Sequence, residues 1–575
     1  MGIKLARTAG FCMGVRRAVD MALDVAPGRD NGKIYTYGPL IHNPQTIEIL
    51  KNRGIIPVDN IDEIEEGTII IRAHGISPLE RKKIREKKAK IIDATCPKVA
   101  QVQAIIKKHA SLGYTILIAG DREHPEVDGL LGYSDGKGFV TGNRDEVDTL
   151  PELTKVCVVA QTTQSAEEFK DIVDRATERF PEVLVFDTIC DSTEKRQAEV
   201  KELSAEVDVM FIVGGKNSAN TKRLARISGL QGTPTFHVET VNELKKIAIG
   251  GYDKIGISAG ASTPNWVIEK VVDYIITTCQ EEKKKGIIQR LLSLWVFTVI
   301  TDIYSAIGAG CLTLTSILLQ GLNINILNIL TASFYVYSMH TLNRFTDRKR
   351  SSIVSSFREE TYLRHEKVYV TVAIMSLLMA LTISFITGLV PFLLLLSISC
   401  FGVLYNAKIL PQNRRFKRLR DLPGSKNVSM AAAWGIVAAV VPQMGTSLTI
   451  TPAMVTAFLF VFAVVFVRSA MSDTIDIQSD RLIGKETIPV VIGKENTRKL
   501  LTGISVIMAV MLVMAHPAGW TSSLSFALVA SMFYVWICFR LCDKRAKFSG
   551  VVLEGLLETN YIIAGLSAFL WFILV

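Results

Sequence analysis

"CQEEKKKG", residues Cys279 to Gly286, marks the point where the chain changes character. It holds little to bury and reads as a solvated charged tether. Before it, apolar runs are short and alternate with charged helical stretches such as "ERKKIREKK" and "SAEEFKDIVDRATERF", the pattern of a soluble α/β protein. After it, from about Ile287, long apolar stretches dominate, and a bilayer-spanning helix needs roughly 20 such residues. Length agrees, since 575 residues are too many for one ordinary domain. The expected organisation is a soluble, enzyme-like domain over residues 1–280, a linker over 281–286 and a membrane domain over 287–575.

Bulk features narrow the class. The opening "MGIKLARTAGFCMG" lacks the apolar core of a secretory signal. Ala6 stands where a myristoylation pattern needs Ser or Thr. The cysteines are scattered without regular spacing, which argues against a disulfide framework and for a reducing cytosol around the first half. The net charge of +10 is explained by membrane topology, and no nucleic-acid partner is expected.

Within the first half, apolar runs end in polar or glycine-rich turns. "GTIIIRAHG" ends at His74, "AKIIDATCP" at Cys96, "YTILIAGDREHPE" at His124 and Glu126, "KVCVVAQTT" at Thr162, "VDVMFIVGGKNSAN" at Ser218 and Asn220, and "KIGISAGAST" at Ser262. Strands alternating with helices imply parallel sheets, whose ligands gather beyond the carboxyl ends of the strands. Cys12 in "AGFCMGVRRAV", Cys96 in "DATCPKV" and Cys190 in "FDTICDST" share that placement at nearly even separations. Three readings stand: small buried residues, a zinc site without a visible fourth ligand, or an iron–sulfur cluster with one iron left open. Cys157, inside "VCVV", reads as core, and His109, His237 and His365 as structural.

The ordered set "GFCMGVRRAV", "GPLIHNP", "AHG", "DATCP", "HPEV", "QTT", "ICDSTEKRQ", "KNSAN" and "AGAST" resembles the 4-hydroxy-3-methylbut-2-enyl diphosphate reductases over essentially all of Met1 to Cys279. The resemblance implies a three-lobed, trefoil-like α/β fold and the last step of the methylerythritol phosphate isoprenoid route. It implies Cys12, Cys96 and Cys190 as ligands of a 4Fe–4S cluster whose open iron takes the substrate's allylic hydroxyl. It also implies His42, His74, His124, Ser218, Asn220 and Ser262 at the diphosphate, Glu126 as the proton relay and Thr162 at the substrate oxygen. An electron donor such as ferredoxin or flavodoxin goes with that chemistry. One departure is Ala219, where the family often has a second serine.

In the second half about nine apolar segments are compatible with spans, centred near Ile307, Tyr335, Ser376, Leu396, Val437, Val461, Ile507, Val529 and Leu566. Connections near Gln320, Gly388, Gly445 and Gly519 carry no Lys or Arg, while the others are rich in them, as in "RFTDRKR" and "QNRRFKRLRDLPGSK". The positive-inside rule then places the basic loops and the soluble half in the cytoplasm of a multi-pass cell-membrane protein, with Val575 on the far side. Asn343 and Asp347 lie one helical turn apart, and Asp473, Asp476 and Asp480 recur in "SDTIDIQSDRLIG". Paired carboxylates suit Mg²⁺ bridging a diphosphate; the plain alternative is loop solubilisation.

This half resembles the UbiA-type intramembrane prenyltransferases over about Leu291 to Val575, an all-α polytopic fold. The resemblance implies Asn343, Asp347, Asp476 and Asp480 as Mg²⁺ and prenyl diphosphate residues, Lys408 and Lys426 as diphosphate contacts, and a prenyl acceptor that the residues do not name. Ser351 replaces the last aspartate of the family's first motif, whereas Asp476, Asp480 and Gly484 keep the second. Asp302, inside the first span, has no assigned role. Two readings stand for this half: a working prenyl transfer domain, or a weak anchor or lipid-binding module serving the reductase.

Overall fold

The structure, a computed structural model, describes residues 2–25, 33–64, 66–282, 287–351, 365–406, 419, 422–543 and 550–575. It separates into two compact units, Met1–Cys279 and Gln280–Val575.

The first unit holds three four-stranded sheets, all parallel. Sheet I runs Gly2–Leu5, Lys254–Ala259, Val209–Val213, Thr235–Val238. Sheet II runs Lys88–Asp93, Glu66–Ile71, Ile34–Tyr37, Ile55–Val58. Sheet III runs Glu182–Phe186, Lys155–Ala160, Thr115–Ala119, Gly138–Thr141. Inner strands such as "TIII", "VCVVA" and "VMFIV" are buried, as parallel strands covered on both faces require. Sheet I combines the first strand with the last three, so the chain leaves it, builds the other two and returns.

The lobes share one topology. In each, an edge strand leads into a cysteine and then a helix: Gly2–Leu5 to Cys12 and Met13–Val25, Lys88–Asp93 to Cys96 and Pro97–Ser111, Glu182–Phe186 to Cys190 and Asp191–Glu206. The last two helices pack on the next sheet rather than the one they leave. Val99, Val102 and Ile106 join the core of sheet III, and Val200 and Leu203 that of sheet I. The cysteines therefore mark the crossings between lobes.

In the helical unit six helices among the described residues are long and apolar enough to cross a bilayer: Glu366–Thr387, Ser425–Met444, Pro452–Ile475, Lys494–Ala515, Leu524–Cys542 and Gly550–Leu574. The outward faces keep residues such as Ile386, Val510 and Phe533 exposed. All nine centres read from the sequence fall inside helices, but three of those helices do not qualify as spans by themselves. Ile307 lies in Ile303–Leu319, which meets Arg290–Ile300 at 83°, so the pair counts at most as a seventh span. Leu389–Tyr405, around Leu396, is shorter, and Ile326–Ser351, around Tyr335, runs into the basic "RFTDRKR". The 83° bend has a local cause. Asp302 adopts a left-handed φ of 60°, is fully buried, and accepts two hydrogen bonds from Arg344, both 2.9 Å.

Candidate functional site

Each cysteine has its backbone amide tied to the turn after the neighbouring strand of its own sheet. Cys12 N–H donates to Ala261 O (3.0 Å), Cys96 N–H to Ala73 O (2.9 Å) and Cys190 N–H to Thr162 O (3.0 Å). Each stands at the N-terminal end of a helix, where free N–H groups and the helix dipole favour an anionic sulfur. Val15 N–H reaches Cys12 Sγ at 3.4 Å. Burial pushes the Cys96 thiol up, against the amides of Lys98 and Val99, and the Cys12 and Cys190 sulfurs add to the rise. The three thiols thus lie within one electrostatic neighbourhood and are all free. Gly14 makes the approach possible. A Cβ there would sit 2.6 Å from Cys96 Sγ and 4.0 Å from Cys12 Sγ.

Among the described residues, the three sulfurs do not form a group whose ligand atoms all fall within 4.8 Å. One zinc ion, with Zn–S bonds of about 2.3 Å, needs a tighter set. A larger cluster does not, and three half-buried thiols around a glycine-lined space fit a 4Fe–4S group with an open iron.

The other predicted residues fall at the equivalent turns of the inner strands. Ser262, His74 and Thr162 follow the strands next to the cysteine strands. Ser218 and Asn220, His42, and His124 with Glu126 follow the third strands. The rings of His42, His74 and His124 meet, with centroids 4.6 to 5.5 Å apart. Ser262 Oγ–H donates to His42 O (3.1 Å), and a Cβ on Gly215 would lie 2.8 Å from that same oxygen. The turn leading to Ser218 therefore packs on His42 without a side chain between. His42 Nε2, His74 Nδ1 and both amide atoms of Asn220 are buried with no partner. Unpaired buried polar atoms in such numbers mark a place where a ligand completes the bonding.

Burial keeps these imidazoles neutral. It lowers His42, with help from the Arg72 charge, lowers His74 well below its usual value, and brings His124 down to about 4. Their ligand nitrogens lie within 4.8 Å of one another, so the trio could also hold a metal ion. Glu126 is 2 % exposed. Its carboxyl accepts Thr162 N–H (2.7 Å) and Thr162 Oγ–H (3.0 Å), while its own N–H donates to His124 Nδ1 (3.1 Å). Burial raises its pKa against those bonds, so it keeps a proton to higher pH than an ordinary carboxyl. Cys157 is fully buried in its strand, and His109 and His237 bond backbone carbonyls, as structural residues do. Sequence reading passed over Arg72, Arg196 and Arg223, whose charges border the site; "IRAHG" and "EKRQ" carried the first two in plain view.

In the helical unit Asp476 ends the helix Pro452–Ile475, and Asp480 lies in the short helix Ile477–Ile483, its N–H on Asp476 O (2.8 Å). Asp480 is 6 % exposed, which sets aside loop solubilisation. Burial raises both carboxyls, and the neighbouring Asp473 raises them further. Asp473 accepts Asn427 Nδ2–H (2.8 Å) and lies 3.8 Å from Lys426 Nζ, while Lys485 Nζ is 3.9 Å from Asp480. Asn343 lies on Ile326–Ser351 and is exposed. The side chains of Asp347 and Ser351, and the whole of Lys408, fall outside the described residues.

These features define a class: a three-lobed α/β protein with three free thiols beside a pocket of buried, unpartnered polar atoms, joined to a polytopic helical domain. Residues 3–276 match the LytB protein family and residues 292–554 the UbiA prenyltransferase family. A 4-hydroxy-3-methylbut-2-enyl diphosphate reductase from Geotalea uraniireducens is 44% identical over 275 residues, 48% of this chain and 97% of its own. One from Geobacter sulfurreducens is 43% identical over 286 residues, 50% of this chain and all of its own. The chain belongs to the 4-hydroxy-3-methylbut-2-enyl diphosphate reductase (LytB) family and carries a UbiA-family domain behind it, which makes it a multi-pass membrane protein. A solved reductase structure is 44% identical, covering 48% of this chain and all of that one, with a TM-score of 0.38. A UbiA homologue from Archaeoglobus fulgidus is 16% identical, covering 48% of this chain and 99% of that one, with a TM-score of 0.36.

Proposed function

We propose that residues 1–280 form a reductase that removes the hydroxyl of 4-hydroxy-3-methylbut-2-enyl diphosphate. Two electrons and two protons are taken up, water leaves, and isopentenyl and dimethylallyl diphosphates are formed. The observation that carries this reading is the repetition of one cysteine-bearing crossing in three lobes around the buried Glu126–Thr162 pair. Cys12, Cys96 and Cys190 would hold a 4Fe–4S cluster. When bound, that cluster supplies a Lewis-acidic iron for the substrate hydroxyl and a route for electrons.

The chain's own groups do the rest. His42, His74, His124, Ser218, Asn220 and Ser262 offer the donors a diphosphate needs, at strand ends and helix N-termini. Ala219 supplies its backbone there but no hydroxyl. Glu126, whose pKa burial raises, delivers a proton at its carboxyl, and Thr162 orients both that carboxyl and the substrate oxygen. Ferredoxin or flavodoxin suits the electron demand. The test is an anaerobic assay of the full chain with substrate and a reduced donor. Both five-carbon products are expected; iron-free protein, or no product from iron-loaded protein, overturns the reading.

The helical unit, residues 287–575 beyond the 281–286 linker, is read as a nine-span prenyl transfer domain with its basic loops and the reductase in the cytoplasm. Asp476 and Asp480, with Asn343 and Asp347, would hold Mg²⁺ against a prenyl diphosphate. Burial raises the pKa of both carboxyls, and a bound dication favours their ionised forms. Ser351 favours a second reading, a weakened domain that anchors the reductase. Mg²⁺-dependent binding of a labelled prenyl diphosphate, followed by transfer to trial acceptors, separates the two.

A further inference from the structure

We propose that Arg196 is a positioning residue of the iron–sulfur centre, which holds the turn of Cys12 in register with the helix of Cys190 and eases electron entry. The proposal rests on the reductase reading above.

Arg196 lies on the helix that Cys190 begins and is 2 % exposed. Its Nη1 donates to Ala259 O (2.5 Å) and its Nη2 to Gly10 O (2.9 Å). Gly10 leads into Cys12, and Ala259 ends the strand whose following turn receives the Cys12 amide. One planar fork therefore grips both sides of the Cys12 turn from the helix of a cysteine in another crossing. Arg17 makes a similar reach, to Thr95 O (3.0 Å) beside Cys96, but its side chain is exposed and screened by water.

Two carbonyls need only neutral donors, and a buried charge is far more costly than a buried amide. Something else must balance it. Its hydrogen bonds go to neutral carbonyls, and Nε is buried without a partner. The groups close enough to offer it negative charge are Cys12, Glu199 and Cys190. Glu199 is itself taken up by Arg7 N–H (2.7 Å), Thr8 N–H (2.9 Å) and Thr8 Oγ–H (2.6 Å). Those donors are neutral and leave the carboxylate its charge, so Glu199 shares the role of counter-charge with the Cys12 and Cys190 sulfurs and the cluster they would carry. Burial lowers the guanidinium to about 10, so it stays charged at neutral pH. A fixed positive charge in a low-dielectric site stabilises the more negative, reduced cluster over the oxidised one, which raises the reduction potential.

The experiment uses the anaerobically purified full chain. Iron and sulfide content and the midpoint potential, followed by EPR or visible spectra, are compared for wild type, Arg196→Gln, Arg196→Lys and Glu199→Gln. Arg196→Gln should lower the potential. Arg196→Lys keeps the charge but not the fork, so its potential should stay near wild type while a chelator removes its iron faster. Glu199→Gln removes a nearby negative charge and should move the potential upward. An Arg196→Gln protein with full iron and unchanged potential overturns the proposal. If Arg196→Gln holds no cluster, Arg196→Lys decides: a potential well below wild type, or iron held against the chelator as firmly as in wild type, overturns it equally. Wild-type protein without iron and sulfide instead defeats the reductase reading itself.

Discussion

The two units bury polar groups in opposite ways. In the α/β unit, burial strips charge from His42, His74 and His124 and leaves His42 Nε2, His74 Nδ1 and the Asn220 amide without partners. Such a pocket gains most from a ligand that brings negative charge and accepts hydrogen bonds. In the helical unit, burial gathers Asp473, Asp476 and Asp480 and raises the last two, a setting that gains most from a cation. The sign of the missing charge can thus be read from which ionised form burial suppresses.

The largest test of this contrast is the thiol centre. Cys12→Ser, Cys96→Ser or Cys190→Ser should each abolish both bound iron and reductase turnover, while Cys157→Ser, in a strand core, should leave both intact. Iron and sulfide assays with activity measurement check this.

Glu126→Gln keeps the size of the side chain but removes the transferable proton. Turnover should fall by about 10²–10⁴-fold, with cluster content and substrate affinity near wild type. Turnover within a few-fold of wild type would remove Glu126 from the relay.

Asp476→Asn takes one charge from the carboxylate site. Mg²⁺-dependent prenyl diphosphate binding should weaken by at least about tenfold, about 1.4 kcal/mol, with no change in reductase rate. Equilibrium binding in membranes and the soluble assay, run on the same preparation, check both halves of that statement.

The pH dependence should separate the sites further. The imidazoles are neutral in the free protein because their pKa values are depressed. A bound diphosphate favours the imidazolium and raises those values, so binding takes up protons. Substrate affinity should therefore rise as pH falls from 8 toward 6, by at most about tenfold per pH unit for each proton taken up. Calorimetry in buffers of different ionisation enthalpy measures the uptake. Affinity that falls with decreasing pH would contradict the neutral-imidazole pocket. The smallest effect is expected from Ala219→Ser, which returns one hydroxyl at a helix N-terminus and should tighten binding by about 0.5–1.5 kcal/mol.

Much of this protein is legible from its residues. The break at "CQEEKKKG", the parallel α/β class and the apolar helices follow from hydrophobic period and run length, which are local properties of the chain. The cysteine, histidine and carboxylate candidates were visible for a related reason, since parallel sheets collect chemistry at strand ends. Span counting was less secure, because a left-handed Asp302 paired with Arg344 bends one apolar stretch in a way that hydropathy cannot register. Only the tertiary structure decided that three cysteines from three crossings share one neighbourhood, that Gly14 leaves room between two of their sulfurs, and that Arg196 is buried behind them. Those facts depend on contacts between residues such as Gly10 and Arg196 that lie 186 positions apart. Proximity of that kind is created by the packing of lobes, and no local pattern encodes it.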